Sequence, residues 1–310
     1  MERLAAKAFS PGGISSFFEI CDLEEDGSPI KAPERVGSRG GGFAIAEGIT
    51  TEVKVQPSKE TNIKVYINDQ LAEAKTTEAM LRLLLKPLKE GYLIEVQHSV
   101  IPPIGAGFGT SAAGAYSCGL AFSHALGLNL TQNQIGKMAH VADVVCHTGL
   151  GTVEGLMTGG LVLIVKGGAP GIGLVDRIPV PLGLRIVAGS FKSIEKGSII
   201  LSPEWRQTVN RLGQETMKRI LCSPSLRNFL DACKDFAFNL GLMSDRVRQL
   251  IAEAEGAGAI GATQNMIGEA VHAVTTIENS GAVYDAFKKH LPPSKIIVSD
   301  IDFQGGRIIE

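Results

Sequence analysis

The chain has 310 residues, 44% of them hydrophobic, which fits one large domain or two medium ones. Its 30 Lys and Arg residues are balanced by 32 Asp and Glu residues, so neither nucleic acid nor an anionic membrane is expected as a partner. No stretch approaches the roughly 18 consecutive apolar residues of a membrane-spanning helix. A small-molecule partner is therefore expected.

The cysteine content and the N-terminus predict a cytoplasmic protein. The five cysteines are odd in number and include no CxxC pair, which predicts free thiols in a reducing compartment. Residues 1–7 contain no long apolar run, so no signal peptide is predicted.

The first third of the chain is predicted to consist mainly of strands. They are expected over residues 14–20, 43–55, 62–67 and 91–100. Residues 10–13, Ser-Pro-Gly-Gly, predict a sharp turn, which is either a structural edge turn or a loop near a ligand. A helix is expected from Thr76 or Thr77 to about residue 86, before Pro87.

Residues 37–42, Gly-Ser-Arg-Gly-Gly-Gly, allow two interpretations. The glycines let the backbone approach a ligand, and the Arg39 guanidinium suits a carboxylate or phosphate. The alternative is a flexible hairpin turn.

A second glycine-rich segment, residues 102–113, lies between a predicted strand and a small-residue helix over 112–126. Its alternate glycines, a helix N-terminus and the hydroxyls of Thr110 and Ser111 suit a phosphate or Mg²⁺. It is neither a Walker A loop nor a dinucleotide fingerprint. An anion-binding loop and a tight structural turn are the two interpretations.

The next helix begins with a capping-box pattern at 131–134 and carries His140 and Asp143 three residues apart. For Asp143 the alternatives are a solvated helix face and a metal or phosphate ligand, whereas a packed or capping role is expected for His140. Residues 148–155 predict another small-residue loop.

A domain boundary is expected at 178–183, after a glycine-rich connection. Beyond it, helices are predicted over 204–221, 225–241, 245–255 and 282–290, and strands over 184–189, 295–300 and 306–309. Residues 256–262 predict a flexible segment, and 266–276 fits either a helix or a strand. This mixture predicts an α+β fold.

Together these loops resemble those of the GHMP kinases, the superfamily named for galactokinase, homoserine kinase, mevalonate kinase and phosphomevalonate kinase. Residues 105–113, Gly-Ala-Gly-Phe-Gly-Thr-Ser-Ala-Ala, resemble its G-x-G-L-G-S-S-A-A phosphate loop. Asp143 stands where the superfamily has an acidic Mg²⁺ ligand, and 149–160 matches the segment that supplies its catalytic aspartate.

The resemblance implies a two-domain α+β fold whose mixed sheets are packed with helices on one side. The active site is expected in the cleft between an N-terminal ATP-binding domain, 1–180, and a C-terminal domain, 181–310.

Within the superfamily the chain is most similar to the archaeal pantoate kinases. The segments that carry this similarity are 9–11, 17–20, 37–40, 148–151, 264–268, 301–303 and 306–307. The similarity implies ATP-dependent phosphorylation of pantoate to 4-phosphopantoate in coenzyme A biosynthesis, by a homodimer.

The resemblance also implies the roles of individual residues, with ATP and Mg²⁺ as cofactors. Ser111 and Asp143 are expected to hold Mg²⁺. Arg39 is the first candidate for binding the substrate carboxylate, followed by His140 and Lys196. The nucleotide-binding residues are expected to be Pro103, Gly105, Ala106, Gly107, Phe108, Gly109, Thr110, Ser111 and Ala112.

One departure concerns catalysis, because Thr152 stands at the position of the expected aspartate. A threonine hydroxyl is no general base near neutral pH, so Thr152 is expected to orient the attacking hydroxyl. Glu154 is the neighbouring candidate base. Asp143 and Thr152 are the predicted catalytic residues.

Two alternatives remain open at this stage. One is a kinase of the same superfamily for another hydroxy acid, of the homoserine or mevalonate type. The other is a catalytically weak protein that binds ATP or a metabolite, which Thr152 favours.

Overall fold

The structure, a computed structural model, describes residues 4–192 and 203–309. Its larger sheet contains β1 (Leu4–Cys21), β2 (Gly37–Ser58), β3 (Asn62–Ile67), β4 (Gln70–Leu71), β5 (Gly91–Val100), β6 (Leu161–Lys166), β7 (Leu174–Ile178) and β12 (Arg307–Ile308). The order is β12-β1-β2-β5-β3-β4, with β6 pairing with β2 and β7. The β3–β5 pair is parallel, so the sheet is mixed.

The smaller sheet contains β8 (Leu184–Lys192), β9 (Gly261–Gln264), β10 (Glu269–Thr276) and β11 (Ile296–Asp300), in the order β11-β8-β10-β9. Its β10 settles one open prediction, because 269–276 is a strand and not a helix. Strands β8 and β10 are almost fully buried, which explains why polar and apolar residues do not clearly alternate in their sequences.

The helices are α1 (Lys75–Leu85), α2 (Thr110–Ala125), α3 (Gln132–Val145), α4 (Thr152–Thr158), α5 (Pro203–Cys222), α6 (Leu226–Asn239), α7 (Asp245–Gly256) and α8 (Ser280–Lys288). Helices cover both sheets. Helix α2 packs against β1 and β2 of the larger sheet, and α6, α7 and α8 pack against the smaller sheet. The predicted capping box is confirmed, because Thr131 and Gln134 cap α3 reciprocally. The α+β fold class is confirmed.

The turn predicted at 10–13 is wrong, because these residues lie inside β1. The register between β1 and β2 shifts between Ser10 and Gly12, as in a β-bulge. A Cβ on Gly12 would stand 2.7 Å from the backbone oxygen of Glu47. The glycine therefore serves a close approach between strands.

The hairpin turn considered for 37–42 is also absent, because this segment is the first part of β2 and pairs with β1 and β6. A Cβ on Gly42 would stand 1.7 Å from the backbone oxygen of Ile14, and one on Gly40 would stand 2.5 Å from that of Phe17. These glycines are required by close strand contacts.

A buried polar network holds α2 against the larger sheet. His98 bonds Thr51 Oγ1 through Nδ1 at 2.7 Å and Thr77 Oγ1 through Nε2 at 3.0 Å. Thr51 Oγ1 lies 2.6 Å from Ser117 Oγ in α2. Burial lowers the pKa of His98 to about 4, so the ring is neutral near pH 7. The network fixes the helix whose N-terminus begins the candidate site.

Within residues 4–192 and 203–309, no helix is long and apolar enough to cross a membrane.

Candidate active site

A cradle forms at the loop between β5 and α2, where three glycines adopt left-handed backbone conformations. Gly105, Gly107 and Gly109 have φ angles of 78°, 83° and 60°. A Cβ on Gly109 would stand 2.6 Å from Thr152 Cγ2. One on Gly107 would stand 3.3 Å from Asn265 Cβ. The glycines thus serve both the backbone conformation and the close approach of two other segments.

The N-terminus of α2 opens into this cradle. The helix begins at Thr110, two residues before the predicted start, and its N-cap Gly109 provides no side-chain cap. The first-turn amides of any α-helix lack an intrahelical acceptor, and the helix dipole is positive there. Because the first turn also carries no acidic residue, the cradle suits an anion.

The cradle brings together most of the predicted nucleotide-binding residues. It is lined by Ser15, Gly105, Gly107, Phe108, Gly109, Thr110, Ser111, Ala112, Asp143, Thr148, Gly149, Thr152 and Met266. Of the predicted nucleotide-binding residues, Pro103 and Ala106 are not among them. Ala106 is only 2% exposed and packs in the hydrophobic core, so its side chain faces away from the cradle.

Asp143 reaches the cradle from the last turn of α3. The helix ends in a Schellman motif, in which His147 N–H bonds Val144 O at 3.0 Å and Thr148 N–H bonds Asp143 O at 3.0 Å. His147 takes the left-handed φ of 56° that this motif requires. The motif folds Thr148 back over Asp143, and both residues line the cradle.

The Asp143 carboxylate is buried, with 2% exposure for the residue, and Thr148 Oγ1 donates to its Oδ1 at 2.6 Å. Thr148 Oγ1 also lies 2.9 Å from Thr76 Oγ1 in α1. A carboxylate near the negative end of a helix dipole favours a nearby cation. The solvated-face interpretation of Asp143 is therefore wrong.

The residues of the cradle fit a nucleotide phosphate chain carrying Mg²⁺. The described residues include no cluster of three or more His, Cys, Asp or Glu side chains that would enclose a metal. Mg²⁺ commonly takes only one or two protein carboxylates and completes its shell with phosphate and water oxygens. Asp143 and the Ser111 hydroxyl, which line the same cradle, offer that kind of partial ligand set.

A second cavity adjoins the cradle. It is a partly open cavity of about 500 Å³, solvent-facing space included, and like most small-molecule sites it has a mainly apolar lining with a few polar groups. Glycines of β2 and a mostly apolar wall surround it: Gly13, Ile14, Ser15, Phe17, Phe18, Ser38, Gly40, Gly41, Gly42, Phe43, Ala44, Gly151, Thr152, Gly155, Leu156, Val162 and Ile164.

Ser15 and Thr152 line both cavities. Thr152 lies at the first position of α4, which shortens the loop predicted over 148–155. Its methyl group faces Gly13 and Gly109, as the contacts of Cβ atoms built there show. Two hydroxyl-bearing residues therefore stand where a group in one cavity meets a group in the other.

Arg39 is placed outside both cavities. Its Nη1 donates to Glu19 Oε2 at 2.9 Å, and its Nε donates to the backbone oxygen of Val165 at 3.0 Å. Glu19 also accepts from Gln214 Nε2 at 2.9 Å. The guanidinium serves this ion-pair network, and its neighbours Ser38 and Gly40 line the cavity because successive residues of a strand point to opposite faces.

The other two substrate-binding candidates are not brought into the site either. His140 is 1% exposed and its Nε2 donates to the backbone oxygen of Val36 at 2.8 Å. Burial lowers its pKa, so it behaves as the packed histidine that was expected. Lys196 lies outside the described residues.

Glu154 points away from the reaction site. Its carboxylate lies against Gly173, where a built Cβ would stand 2.6 Å from both carboxylate oxygens. Burial raises its pKa to about 7. Because Glu154 lines neither cavity, it does not replace the missing aspartate.

A buried triad, which sequence reasoning missed, joins the two sheets beside the cradle. Asn265 Oδ1 lies 2.7 Å from His272 Nδ1, and Ser16 Oγ lies 3.1 Å from His272 Nε2. An amide oxygen only accepts, so Nδ1 carries the proton and Nε2 accepts from Ser16. Full burial lowers the pKa of His272 to about 3, so the triad is a neutral structural link. The backbone N–H of Met266 also donates to the backbone oxygen of Ser15 at 2.7 Å.

Sequence reasoning also missed Ser15 as a lining residue and Thr148 as the partner of Asp143. Ser16 and His272 are 256 residues apart, so no local pattern announces their contact. For Thr148 a local signal exists, because a Schellman motif after α3 would place it over Asp143.

Comparison with known proteins adds independent evidence. Residues 74–157 match the family model for the GHMP kinases N terminal domain. A pantoate kinase of Methanocaldococcus jannaschii is 28% identical, over 87% of this chain and 93% of the relative. A pantoate kinase of Thermococcus kodakarensis is 27% identical, over 88% of this chain and 89% of the relative.

The fold is shared with solved structures. A phosphotransferase described as related to the coenzyme A biosynthesis pathway superposes with a TM-score of 0.86 at 22% identity, covering 98% of both chains. The homoserine kinase of Cytophaga hutchinsonii superposes with a TM-score of 0.69 at 18% identity, covering 98% of this chain and 97% of the other. The family match, the relatives and the shared fold agree with the phosphate loop: residues 74–157 match the GHMP kinases N terminal domain, and the chain as a whole is similar to the pantoate kinases and shares their superfamily's fold.

Proposed function

We propose that this protein is an ATP-dependent kinase that phosphorylates the 4-hydroxyl of pantoate, in coenzyme A biosynthesis. The observation that carries the proposal is the pair of adjoining cavities that share Ser15 and Thr152. One cavity has the properties of a phosphate cradle and the other those of a small-molecule site. The pantoate kinases among the relatives, which align over most of this chain, support pantoate as the acceptor.

The cradle residues bind and orient the phosphate end of ATP. The amides at the start of α2 donate to phosphate oxygens, and the glycines keep the approach free of side chains. Ser111 and Asp143 would hold Mg²⁺, which supplies charge neutralisation between the phosphates when bound.

The second cavity suits the body of pantoate. Pantoate carries two methyl groups on the carbon between its hydroxyl-bearing carbons, and Phe17, Phe43 and Val162 provide an apolar wall. None of the described residues that line either cavity is Lys or Arg. Lys196, predicted from the sequence for that role, is therefore the proposed partner of the substrate carboxylate.

Ser15 and Thr152 orient the attacking hydroxyl toward the cradle. Transfer forms a bond between O4 of pantoate and phosphorus, breaks the bond to the leaving phosphate oxygen, and releases one proton. Thr152 does not keep this proton, which passes to a phosphate oxygen or to water. Because phosphoryl transfer depends mainly on positioning and charge neutralisation, loss of a general base leaves a slower reaction, by about 10²–10⁴-fold at most.

The proposal includes three organisational features. The N-terminal ATP-binding domain would cover 1–180 and the C-terminal domain 181–310, the homodimer would be the working form, and the location would be the cytoplasm. Light scattering after size-exclusion chromatography tests the dimer, and a stable fragment from limited proteolysis near residue 180 tests the boundary.

A kinase assay with coupled detection of ADP tests the proposed function. Pantoate should support turnover at least tenfold faster than homoserine or mevalonate at equal concentration. Faster turnover with mevalonate or homoserine would identify that compound, and not pantoate, as the acceptor. A mevalonate kinase of Thermococcus gammatolerans, 25% identical over 64% of this chain and 66% of the relative, makes mevalonate the necessary comparison.

One observation favours a second candidate, a protein that binds ATP without efficient turnover. Thr152 provides a hydroxyl where a carboxylate would act as base, and Glu154 points elsewhere. Stoichiometric binding of ATP without ADP formation on any of the three acceptors would support this candidate.

A further inference from the structure

We propose that Thr148 and Thr76 are positioning residues that hold the Asp143 carboxylate in the orientation in which it binds Mg²⁺. This inference rests on the proposed function, because it assigns the orientation of the metal ligand in that same site.

The end of α3 determines where Thr148 lies. In the Schellman motif, the N–H of Thr148 bonds the backbone oxygen of Asp143 at 3.0 Å. This bond places the Thr148 side chain beside that of Asp143, and the hydroxyl reaches Oδ1 at 2.6 Å. The distance lies in the range of an O–H bond to a carboxylate oxygen.

The direction of each hydrogen bond follows from the supply of protons. The Thr148 hydroxyl has one proton and gives it to Asp143 Oδ1, so toward Thr76 it is an acceptor. Thr76 therefore donates to Thr148 at 2.9 Å. Both threonines are mostly withdrawn from water, so the chain of hydroxyls has few competing partners.

The two carboxylate oxygens consequently have different surroundings. Oδ1 is held by Thr148, whereas Oδ2 lies beside Gly149, where a built Cβ would stand 2.1 Å from it. Gly149 itself lines the cradle. Groups that orient a metal ligand in this way typically contribute about 10–100-fold to metal affinity or activity.

The test measures by calorimetry how strongly the non-hydrolysable ATP analogue AMPPCP binds at a series of Mg²⁺ concentrations. We expect Thr148→Val to raise the Mg²⁺ concentration at half-saturation about tenfold or more, with much weaker effects on AMPPCP binding without metal. Thr148→Ser keeps the hydroxyl and should remain within about twofold of the wild type. Thr76→Val removes only the outer donor and should raise the midpoint by a smaller factor, about threefold.

Thr275→Val is the matched control. Thr275 is a buried threonine of β10 that lines neither cavity, and its hydroxyl bonds the backbone oxygen of Gly258 and not Thr148. Its Mg²⁺ midpoint should equal that of the wild type.

Three results would overturn the inference. The first is an unchanged Mg²⁺ midpoint in Thr148→Val. The second is a shift in Thr148→Ser as large as that in Thr148→Val, which would indicate a packing effect. The third, if Thr148→Val does not fold, is an unchanged midpoint in Thr76→Val. If the wild type binds no AMPPCP at any Mg²⁺ concentration, the proposed function itself fails. If the wild type binds AMPPCP and all variants have the wild-type Mg²⁺ midpoint, only the positioning role is disproved.

Discussion

The carboxylate of Asp143 lies directly against the α-carbon of Gly149. A Cβ built on Gly149 would stand 2.1 Å from Asp143 Oδ2 and 2.9 Å from Cγ, well inside van der Waals contact. Gly149 has no left-handed φ that would require glycine. The glycine is therefore needed for the space it leaves to the candidate metal ligand.

Replacing this glycine should damage the site without unfolding the protein. In Gly149→Ala, the new methyl group forces the Asp143 carboxylate to rotate away from Thr148 and the cradle. We expect kcat/KM with pantoate to fall about 10–100-fold and the Mg²⁺ requirement to rise. Steady-state kinetics at several Mg²⁺ concentrations measures both effects.

Gly281→Ala is the control for this substitution, because nothing lies within 4 Å of a Cβ built there in α8. Its kinetics should match the wild type. Wild-type kinetics in Gly149→Ala would show that the Asp143 carboxylate is not needed in its present place.

Thr152→Asp should increase activity. The residue lies at the first position of α4, where the helix dipole favours an acidic side chain, and it borders both cavities. A carboxylate there provides the missing general base, so kcat should rise, within the range of about 10²–10⁴-fold that such a base supplies. Thr152→Val, which keeps the shape but not the hydroxyl, should lower kcat. Activity of Thr152→Asp below that of Thr152→Val would show that this position does not face the attacking hydroxyl.

Ser15→Ala should weaken the use of the acceptor. One hydrogen bond to a neutral hydroxyl contributes about 0.5–1.5 kcal/mol, so kcat/KM for pantoate should fall about 3–10-fold. The dissociation constant of AMPPCP should change little. Ser16→Ala gives the contrast, because Ser16 is buried against His272 and its loss should lower the melting temperature. Equal effects of Ser15→Ala on nucleotide and acceptor would contradict its placement at the junction.

Because of the buried Glu154 carboxyl group, the stability of the protein should fall as the pH rises from 4.5 through about 7. Its pKa rises from 4.5 to about 7 because the carboxyl is buried, and Oε2 has no hydrogen-bond partner in the described structure. A raised pKa means that the folded state holds the proton longer than the unfolded state. This stabilisation is complete below pH 4.5 and is lost as the pH rises through 7.

Glu154→Gln removes this ionisation. Relative to the wild type, the variant should gain stability between pH 5 and pH 8.5, by up to about 3 kcal/mol at 1.36 kcal/mol per pKa unit. Urea unfolding at the two pH values measures the change. A difference between variant and wild type that is the same at both pH values would show that Glu154 titrates normally.

The sequence predicted the parts of the fold that depend on local chemistry. The capping box at Thr131, the phosphate loop ahead of α2, and the amphipathic helices α5 to α7 are all present close to their predicted ranges. The sequence predicts a turn at 10–13 and leaves a hairpin turn open at 37–42, because glycine permits a turn and a close strand contact equally well. Only the pairing of β1 with β2 and β6 decides between the two.

The candidate site divides in the same way. The glycine loop of the cradle lies on one continuous segment, 105–112, so its residues were predictable from their order. Arg39 was chosen for its chemistry, but the ion pair with Glu19 and the strand register direct it away from the cavities. Ser15 enters the site through the register of β1 and through its bond to Met266, which joins residues far apart in the chain.

The central claim is tested most directly by identifying the product that the purified protein makes from ATP and pantoate. ³¹P and ¹H NMR of the reaction mixture distinguishes a phosphomonoester on the C4 hydroxyl from one on the C2 hydroxyl and from free phosphate. The account predicts 4-phosphopantoate and ADP in equal amounts. Phosphate on another position, or ADP with free phosphate and unchanged pantoate, would contradict it.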